Sequence, residues 1–255
     1  MTTTGSPPRA GIDPRIRDRR IEVRREAGRR RLRILLMASC VLSAAGIAYL
    51  AVMSPIVDVD HVTVAGARHL SPAQIRTAAG VHTGDHLLFV NTGAVARRVE
   101  RLPWVRDAKV TRDLPGTLRI VVHEYAPAAY VRVLGAVMLV AANGRVLART
   151  ANAPAGMVEI RGVRRVPAAG GVLAPTEAAN IAARLPAALG LRVEAVDVSG
   201  SRLALELRDG GEIRLGNAND LGAKAASALA VLDHLGGTPF SYIDVSTPDR
   251  ATSHA

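Results

Sequence analysis

The chain has 255 residues, 49% of them hydrophobic and only 3% aromatic, with a net charge of +11 at neutral pH. That length holds one large domain or two small ones with an ordinary packed core, and a single cysteine, Cys40, excludes an intramolecular disulfide framework. The positive charge is almost wholly arginine, with Lys109 and Lys224 the only lysines, and no aromatic residue interleaves the N-terminal arginines as a nucleic-acid stacking surface would require.

Residues 1–33 carry eleven Arg against Asp13, Asp18, Glu22 and Glu26. From Ile16 to Arg33 the charges fall on every helical face, so disorder or a frayed helix is expected. Ile34 to Met53 then runs without a charge for 20 residues. At a rise of ~1.5 Å per residue it spans a ~30 Å hydrocarbon core as a transmembrane helix. Arg33 bounds it on one side, Ser54-Pro55 closes it on the other, and Tyr49 suits the interface near its far end. A cleaved signal peptide would have an apolar region of ~7–15 residues and a small-residue cleavage site. Beyond Met53 the next Arg or Lys is Arg68. Positive charge stays inside, so the N-terminus is expected in the cytoplasm and everything after the span outside it. The tail is also suited to anionic lipid headgroups.

Residues 57–126 read as strand, helix, helix, strand, strand. Val62 and Val64 alternate before Gly66. Ser71-Pro72-Ala73-Gln74 has the form of a capping box, with Pro at the first helical position. Ile75, Ala78 and Ala79 make that helix's apolar face and Gly80 ends it. A second helix starts after Thr92, with Val95, Val99 and Leu102 in phase and Pro103 as its stop. Val105 to Arg112 is a strand. Leu114-Pro115-Gly116-Thr117 reads as a type II turn, and Leu118, Ile120 and Val122 alternate in the returning strand. Trp104 is read as a core anchor of this module.

Residues 127–247 are mainly β. Asn143-Gly144 turns a hairpin between Ala136–Val140 and Arg145–Ala148. A short apolar strand lies in the connection from Pro154 to Gly162, and Pro167 to Gly171 reads as a flexible turn. A helix over Thr176–Leu185 precedes strands at Val193–Ser199, Arg202–Arg208 and Glu212–Leu215. The clearest helix runs from about Asp220 to Leu235, striped by Leu221, Ala225, Ala228, Leu229, Leu232 and Leu235. Tyr242-Ile243-Asp244-Val245 is a final strand, and residues 248–255 are expected to be a disordered tail.

These residues resemble known families. Residues 57–126 resemble a POTRA (polypeptide-transport-associated) domain through V-T-V-A-G at 62–66, the loop GDHLLFVN from Gly84 to Asn91, and the run L-P-W-V-R-D-A-K-V-T-R-D-L-P-G-T-L-R-I-V-V-H-E at 102–124. Residues 127–247 are similar to the β-domain of the FtsQ/DivIB family of cell-division proteins. The points of match are L-V-A-A-N-G-R-V at 139–146, L-x-L-R-D-G-G-E-I-R-L-G at 205–216, Lys224 in the long helix, and Tyr242 to Val245. The order of basic tail, span, POTRA and β-domain is the family's too. Ala141, where the family often has Asp, and Pro248 are departures.

The expected fold class is therefore α+β: a single transmembrane helix over 34–53, a POTRA domain over 57–126, and a mainly antiparallel β-domain with helices over 127–247. The resemblance implies a non-enzymatic division scaffold without cofactor or metal, sitting in the cell membrane at the septum. It implies that the POTRA domain aids recruitment and that the β-domain binds the small coiled-coil membrane proteins FtsB and FtsL.

Catalytic signatures are missing from the sequence: there is no HExxH, GxSxG, SxxK, P-loop or GxGxxG. His82 and His86 with Asp85 have Gly84 between them, which suits a solvated loop better than a metal site. His123 and Glu124 are adjacent in a strand and point to opposite faces. Glu159, Glu194, Glu206 and Glu212 are scattered over strands and give no sign of a paired-carboxylate cleft. Two other readings stand beside the scaffold. One is a bitopic POTRA protein of secretion or envelope assembly, disfavoured by a single POTRA unit and no run of barrel strands; the other is a membrane-anchored cell-wall enzyme.

The candidate partner site is Tyr242, Ile243, Asp244, Val245, Ser246 and Thr247, with Lys224 offering a charge to an acidic partner segment. A strand that comes last in the chain is a candidate sheet edge, whose free N–H and C=O groups can capture another strand. Pro248 lacks an N–H and is expected to end the pairing.

Overall fold

A computed structural model describes residues 14–52, 58–199 and 203–254, and within the first stretch the side chains at 30–47 and 49–50. The chain forms two compact units, Met1–Val57 and Asp58–Ala255.

Among the described residues the first unit contains one helix, α1 (Pro14–Val52). It runs unbroken through the segment where charge on every face suggests disorder or fraying. Arginine is a good helix former, and the adjoining apolar stretch continues the helix without a breaker. Residues 1–13 and 53–57, which include the ends of the expected tail and span, lie outside the described residues. Among the described residues no helix is long and apolar enough to cross a membrane. The described side chains at 30–47 include Arg30, Arg31 and Arg33, and those of Ala48 and 51–53 fall outside. Leu35, Leu42, Ile47 and Leu50 on this helix are each about two-thirds exposed.

The second unit begins with a three-stranded module. Strands β1 (His61–Ala65), β2 (Val105–Asp113) and β3 (Thr117–Glu124) form a sheet in the order β1-β3-β2, β1 parallel and β2 antiparallel to β3. Helices α2 (Pro72–Ala79) and α3 (Thr92–Val99) lay Ile75, Ala79, Val95 and Val99 on Val105, Ile120 and Val122. The capping box at α2 is complete: Gln74 N–H donates to Ser71 Oγ and Ser71 N–H to Gln74 Oε1. The β2–β3 turn is not type II. Its Leu114–Pro115 peptide is cis, and Gly116 is not among the glycines of positive φ. A Cβ on Gly116 would lie 3.0 Å from the Asp58 carbonyl oxygen and would push the Asp60 carboxylate aside.

Trp104 is not in that module's core. It is 9% exposed and packs with Tyr130, Val137, Leu139, Ala141 and Leu147, all from the next module. The helix-stopping Pro103 delivers the indole to the junction, where Arg145 also donates to the carbonyls of Glu100, Leu102 and Pro103.

The second module is a nine-stranded sheet ordered β12-β11-β10-β9-β8-β7-β4-β5-β6. The strands are β4 (Pro127–Val133), β5 (Ala136–Ala141), β6 (Val146–Thr150), β7 (Val158–Arg161), β8 (Val193–Asp197), β9 (Ala204–Leu207), β10 (Glu212–Arg214), β11 (Tyr242–Asp244) and β12 (Thr252–His254). Five neighbouring pairs are antiparallel, whereas β4–β7, β7–β8 and β10–β11 are parallel. The Asn143-Gly144 hairpin forms as expected, with Gly144 at φ 82°. The segment 168–171 is held in place rather than left loose: Val146 N–H donates to Gly171 O, and Gly170 N–H to Val146 O. Helices α4 (Glu177–Arg184), α5 (Ala187–Gly190) and α6 (Leu221–Leu235) supply Ile181, Leu189, Leu221, Ala225, Ala228 and Leu232 to the core. Register sets the sheet's contribution. Ile160, Val196, Leu205, Ile213 and Ile243 are paired in one row across five strands, and all are at most 1% exposed.

Candidate partner-binding edge

The expected site residues fall at one end of this sheet, and burial divides them. Ile243 and Val245 are completely buried and belong to the core. Alternation along β11 puts Tyr242 and Asp244 on the opposite, open face. There the Arg214 guanidinium lies over the Tyr242 ring, 3.5 Å from its centroid, and the His254 ring stacks on it at 4.4 Å. Asp244 Oδ1 accepts from Ser246 N–H at 2.9 Å. The Ser246 hydroxyl and N–H, with Arg214 nearby, hold the Asp244 carboxyl below the ordinary aspartate value. Thr247 accepts from Arg250 N–H and starts the short turn Pro248–Arg250.

Lys224 is not available to a partner. It is 2% exposed, and its ammonium donates to Leu215 O (2.8 Å), Asn217 O (3.1 Å) and Asn217 Oδ1 (2.8 Å). The chain between β10 and α6 wraps around that ammonium, so Lys224 ties the start of α6 to the end of β10. Its sequence position on a helix one turn from Asp220 gives no sign of which way it points.

β11 is not the sheet edge. It pairs in parallel with β10 on one side and antiparallel with β12 on the other. β12 comes from the segment expected to be a disordered tail. β11 already ends at Asp244, ahead of Pro248, and the 248–250 turn, where Ser227 Oγ donates to Pro248 O, reverses the chain and returns 252–254 alongside. Tyr242 faces His254, Ile243 faces Ser253 and Asp244 faces Thr252.

The rest of the open face is structural in its chemistry. Arg161 gathers Glu194 at 2.6 Å, Glu159 at 3.2 Å and Glu206 into one network, drawing together carboxylates that sequence alone leaves scattered. The hydrogen bond that Arg161 donates to Glu194, working against burial, raises the Arg161 pKa further above its ordinary value. A cleft of about 320 Å³ between the end of α6 and the β9–β10 turn is lined by Arg192, Leu207, Asp209, Leu232, Leu235 and Phe240. Among the described residues no three His, Cys, Asp or Glu are grouped to hold a metal. His86 Nδ1 lies 3.2 Å from Asp58 Oδ1.

Two family models match the chain. One, described as POTRA domain, FtsQ-type, covers residues 57–125, and another, described as cell division protein FtsQ/DivIB, C-terminal, covers residues 129–246. The cell division protein FtsQ of Streptomyces collinus is 34% identical over 241 residues, which is 90% of each chain. FtsQ of Streptomyces coelicolor is 30% identical over 86% of each chain. FtsQ of Corynebacterium glutamicum is 27% identical over 78% of this chain and 87% of its own.

Proposed function

The chain belongs to the FtsQ/DivIB family of cell-division proteins, and on that basis we propose that it is a membrane-anchored, non-enzymatic scaffold that recruits and links septal proteins through its extracytoplasmic modules. One observation carries the reading: likeness to a cell division protein FtsQ extends over nine-tenths of both chains. Anchoring is supported by the uncharged run Ile34–Met53 and by large apolar side chains on α1 that stand exposed around the helix, an arrangement suited to lipid. The arginine excess before Arg33 favours a cytoplasmic N-terminus and an outer face for residues beyond the span.

The partners are FtsB- and FtsL-type membrane proteins, bound at the β11–β12 end of the large sheet. Backbone groups there, with Tyr242, Asp244, Ser246 and Thr247 beside them, give the affinity and direction of strand addition. The test is a fluorescent fusion to the full chain in dividing cells. A ring at midcell, coincident with the FtsB- and FtsL-type proteins, is expected. An even distribution around the envelope throughout the cell cycle would overturn the scaffold reading.

A further inference from the structure

Among the described residues of the three-stranded module, the large apolar side chains that stand exposed are Leu88, Phe89 and Leu114, the last two at 65%. All three lie at one end of that module. β1 enters the sheet there: its first residue, His61, pairs with Thr117 at the start of β3, and Asp113 at the end of β2 pairs with the same Thr117. Leu114 follows directly in the β2–β3 turn. Leu88 and Phe89 belong to the single helical turn Leu87–Phe89. The loop before that turn is bound to the incoming chain: Asp58 bridges to His86, Val59 N–H donates to Asp85 O, and Gly84 N–H donates to Val59 O. The residue after it is tied to the end of β2, where Arg112 Nη2 donates to Val90 O. Trp104 and Glu124 lie at the opposite end, toward the nine-stranded sheet.

We propose that Leu88, Phe89 and Leu114 form a lipid-docking wedge that seats this end of the three-stranded module in the surface of the bilayer. The proposal rests on the anchoring reading and deepens it. By sequence the span ends at Met53, and residues 54–57 alone separate it from Asp58. Even at full extension that link keeps Asp58 within about 20 Å of the bilayer surface, so the bilayer is the surface this end meets first. A phenylalanine and two leucines suit the boundary between headgroups and acyl chains, where apolar side chains leave water. Apolar side chains gathered at one exposed place mark such a contact. The tether makes docking an intramolecular event, so a small apolar gain suffices. The charges at this end do not favour an anionic surface. They include Asp58, Asp60, Asp85 and Asp113, with Asp113 paired to Arg119 at 2.6 Å and Asp58 to His86 at 3.2 Å. Attachment therefore comes from apolar burial, and it persists on neutral lipid and in high salt. Seated this way, the module carries the nine-stranded sheet at its far end, away from the bilayer.

The experiment uses the full chain in phosphatidylcholine nanodiscs, with a fluorescent label on one cysteine at a time and nitroxide quenchers on either the lipid headgroups or the acyl chains. The first site is Cys40, inside the expected span. The second is Thr83→Cys, an exposed position in the loop beside the wedge, which leaves the wedge intact. The third is Leu191→Cys, exposed on the second module. The last two carry Cys40→Ser. Phe89→Ser with Leu114→Ser then removes the wedge from the Thr83→Cys protein; both side chains are exposed, and melting curves check that the fold is unchanged. Acyl-chain nitroxide is expected to quench Cys40, headgroup nitroxide to quench Thr83→Cys, and neither to quench Leu191→Cys. The double serine variant should bring quenching at position 83 down to the level at 191, Phe89→Ser alone should bring part of that loss, and salt should change neither result. If quenching at 83 survives the double substitution, or position 191 is quenched as strongly, the wedge is overturned while the anchoring stands. If Cys40 escapes the acyl-chain nitroxide, the anchoring reading fails and the wedge falls with it.

Discussion

The Trp104 indole lies flat on the His69 imidazole, with ring centroids 3.9 Å apart and planes 10° from parallel. The stack stands where the two outer modules meet, and Trp104 reaches from it into Tyr130, Val137 and Leu147. Trp104→Ala is expected to cost about 3–5 kcal/mol, the range for a buried aromatic, against a total of about 5–15 kcal/mol for a domain. Because the lost contacts join the modules, residues 58–255 should also lose their fixed relative orientation. Urea unfolding monitored by circular dichroism gives the cost, and small-angle scattering of the same variant reads the loosening. A variant that melts normally and scatters like the parent would remove Trp104 from the junction.

His69 is placed by Glu124. The carboxylate, 5% exposed, accepts from the backbone N–H groups of Arg68, His69 and Leu70 and lies 2.8 Å from His69 Nδ1. Burial raises its pKa, but the hydrogen bonds from His69, Leu70 and Arg68 outweigh that and leave it below the ordinary glutamate value. The folded state therefore holds this proton less tightly than the unfolded chain. The stabilisation is complete above the ordinary glutamate pKa and is lost as pH falls through the lower, folded value. Glu124→Gln should be less stable than the parent at neutral pH, and the gap should narrow on acidification. Urea midpoints of the two proteins at several pH values check this; a gap that stays constant would show that the ionised carboxylate contributes nothing.

Local grammar makes most of the elements legible. Ser71 to Gln74 fixes the start of α2, Asn143-Gly144 fixes the β5–β6 hairpin, and the Leu221–Leu232 stripe marks α6, because each is a short-range pattern. The features that sequence reasoning misses depend on long-range partners. Trp104 looks the same in sequence whether it packs on its own module or on the next. Lys224 looks like a solvated lysine until the 215–220 segment closes over it. Thr252-Ser253-His254 has no apolar alternation at all, so nothing marks it as a strand; its pairing exists only because β11 offers an edge. The strand at Tyr242 is thus legible in the sequence, while β12 beside it and the buried lysine need the folded sheet.

Topology gives an independent check on anchoring. The arginines from Arg19 to Arg33 are expected to hold the N-terminus inside. A reporter enzyme active only outside the cytoplasm should work when fused after Ala255 and fail when fused before Met1. Neutralising five of those arginines to Gln should let a fraction of the chains insert the other way round. The opposite pattern of reporter activity would defeat the anchoring and the scaffold reading together.

Lys224 separates a structural role from a contact role. Lys224→Met keeps the length of the stem but removes the ammonium, leaving Leu215 O and Asn217 O without their donor in a buried place. Hydrogen bonds to a charged group contribute about 1.5–3 kcal/mol each and do not add fully, so a loss of about 3 kcal/mol is expected. The damage falls beside the proposed partner edge, since Leu215 comes directly after β10 and Val245 N–H donates to Arg214 O. Partner binding should therefore decline only as far as the melting curve says the protein has unfolded, and it should recover fully at lower temperature. A lysine that met an acidic partner would behave differently: the variant would melt normally, bind more weakly at every temperature, and lose much of the salt dependence of binding. Measuring melting and salt-dependent binding on the same variant decides between the two, and the burial of the ammonium predicts the first.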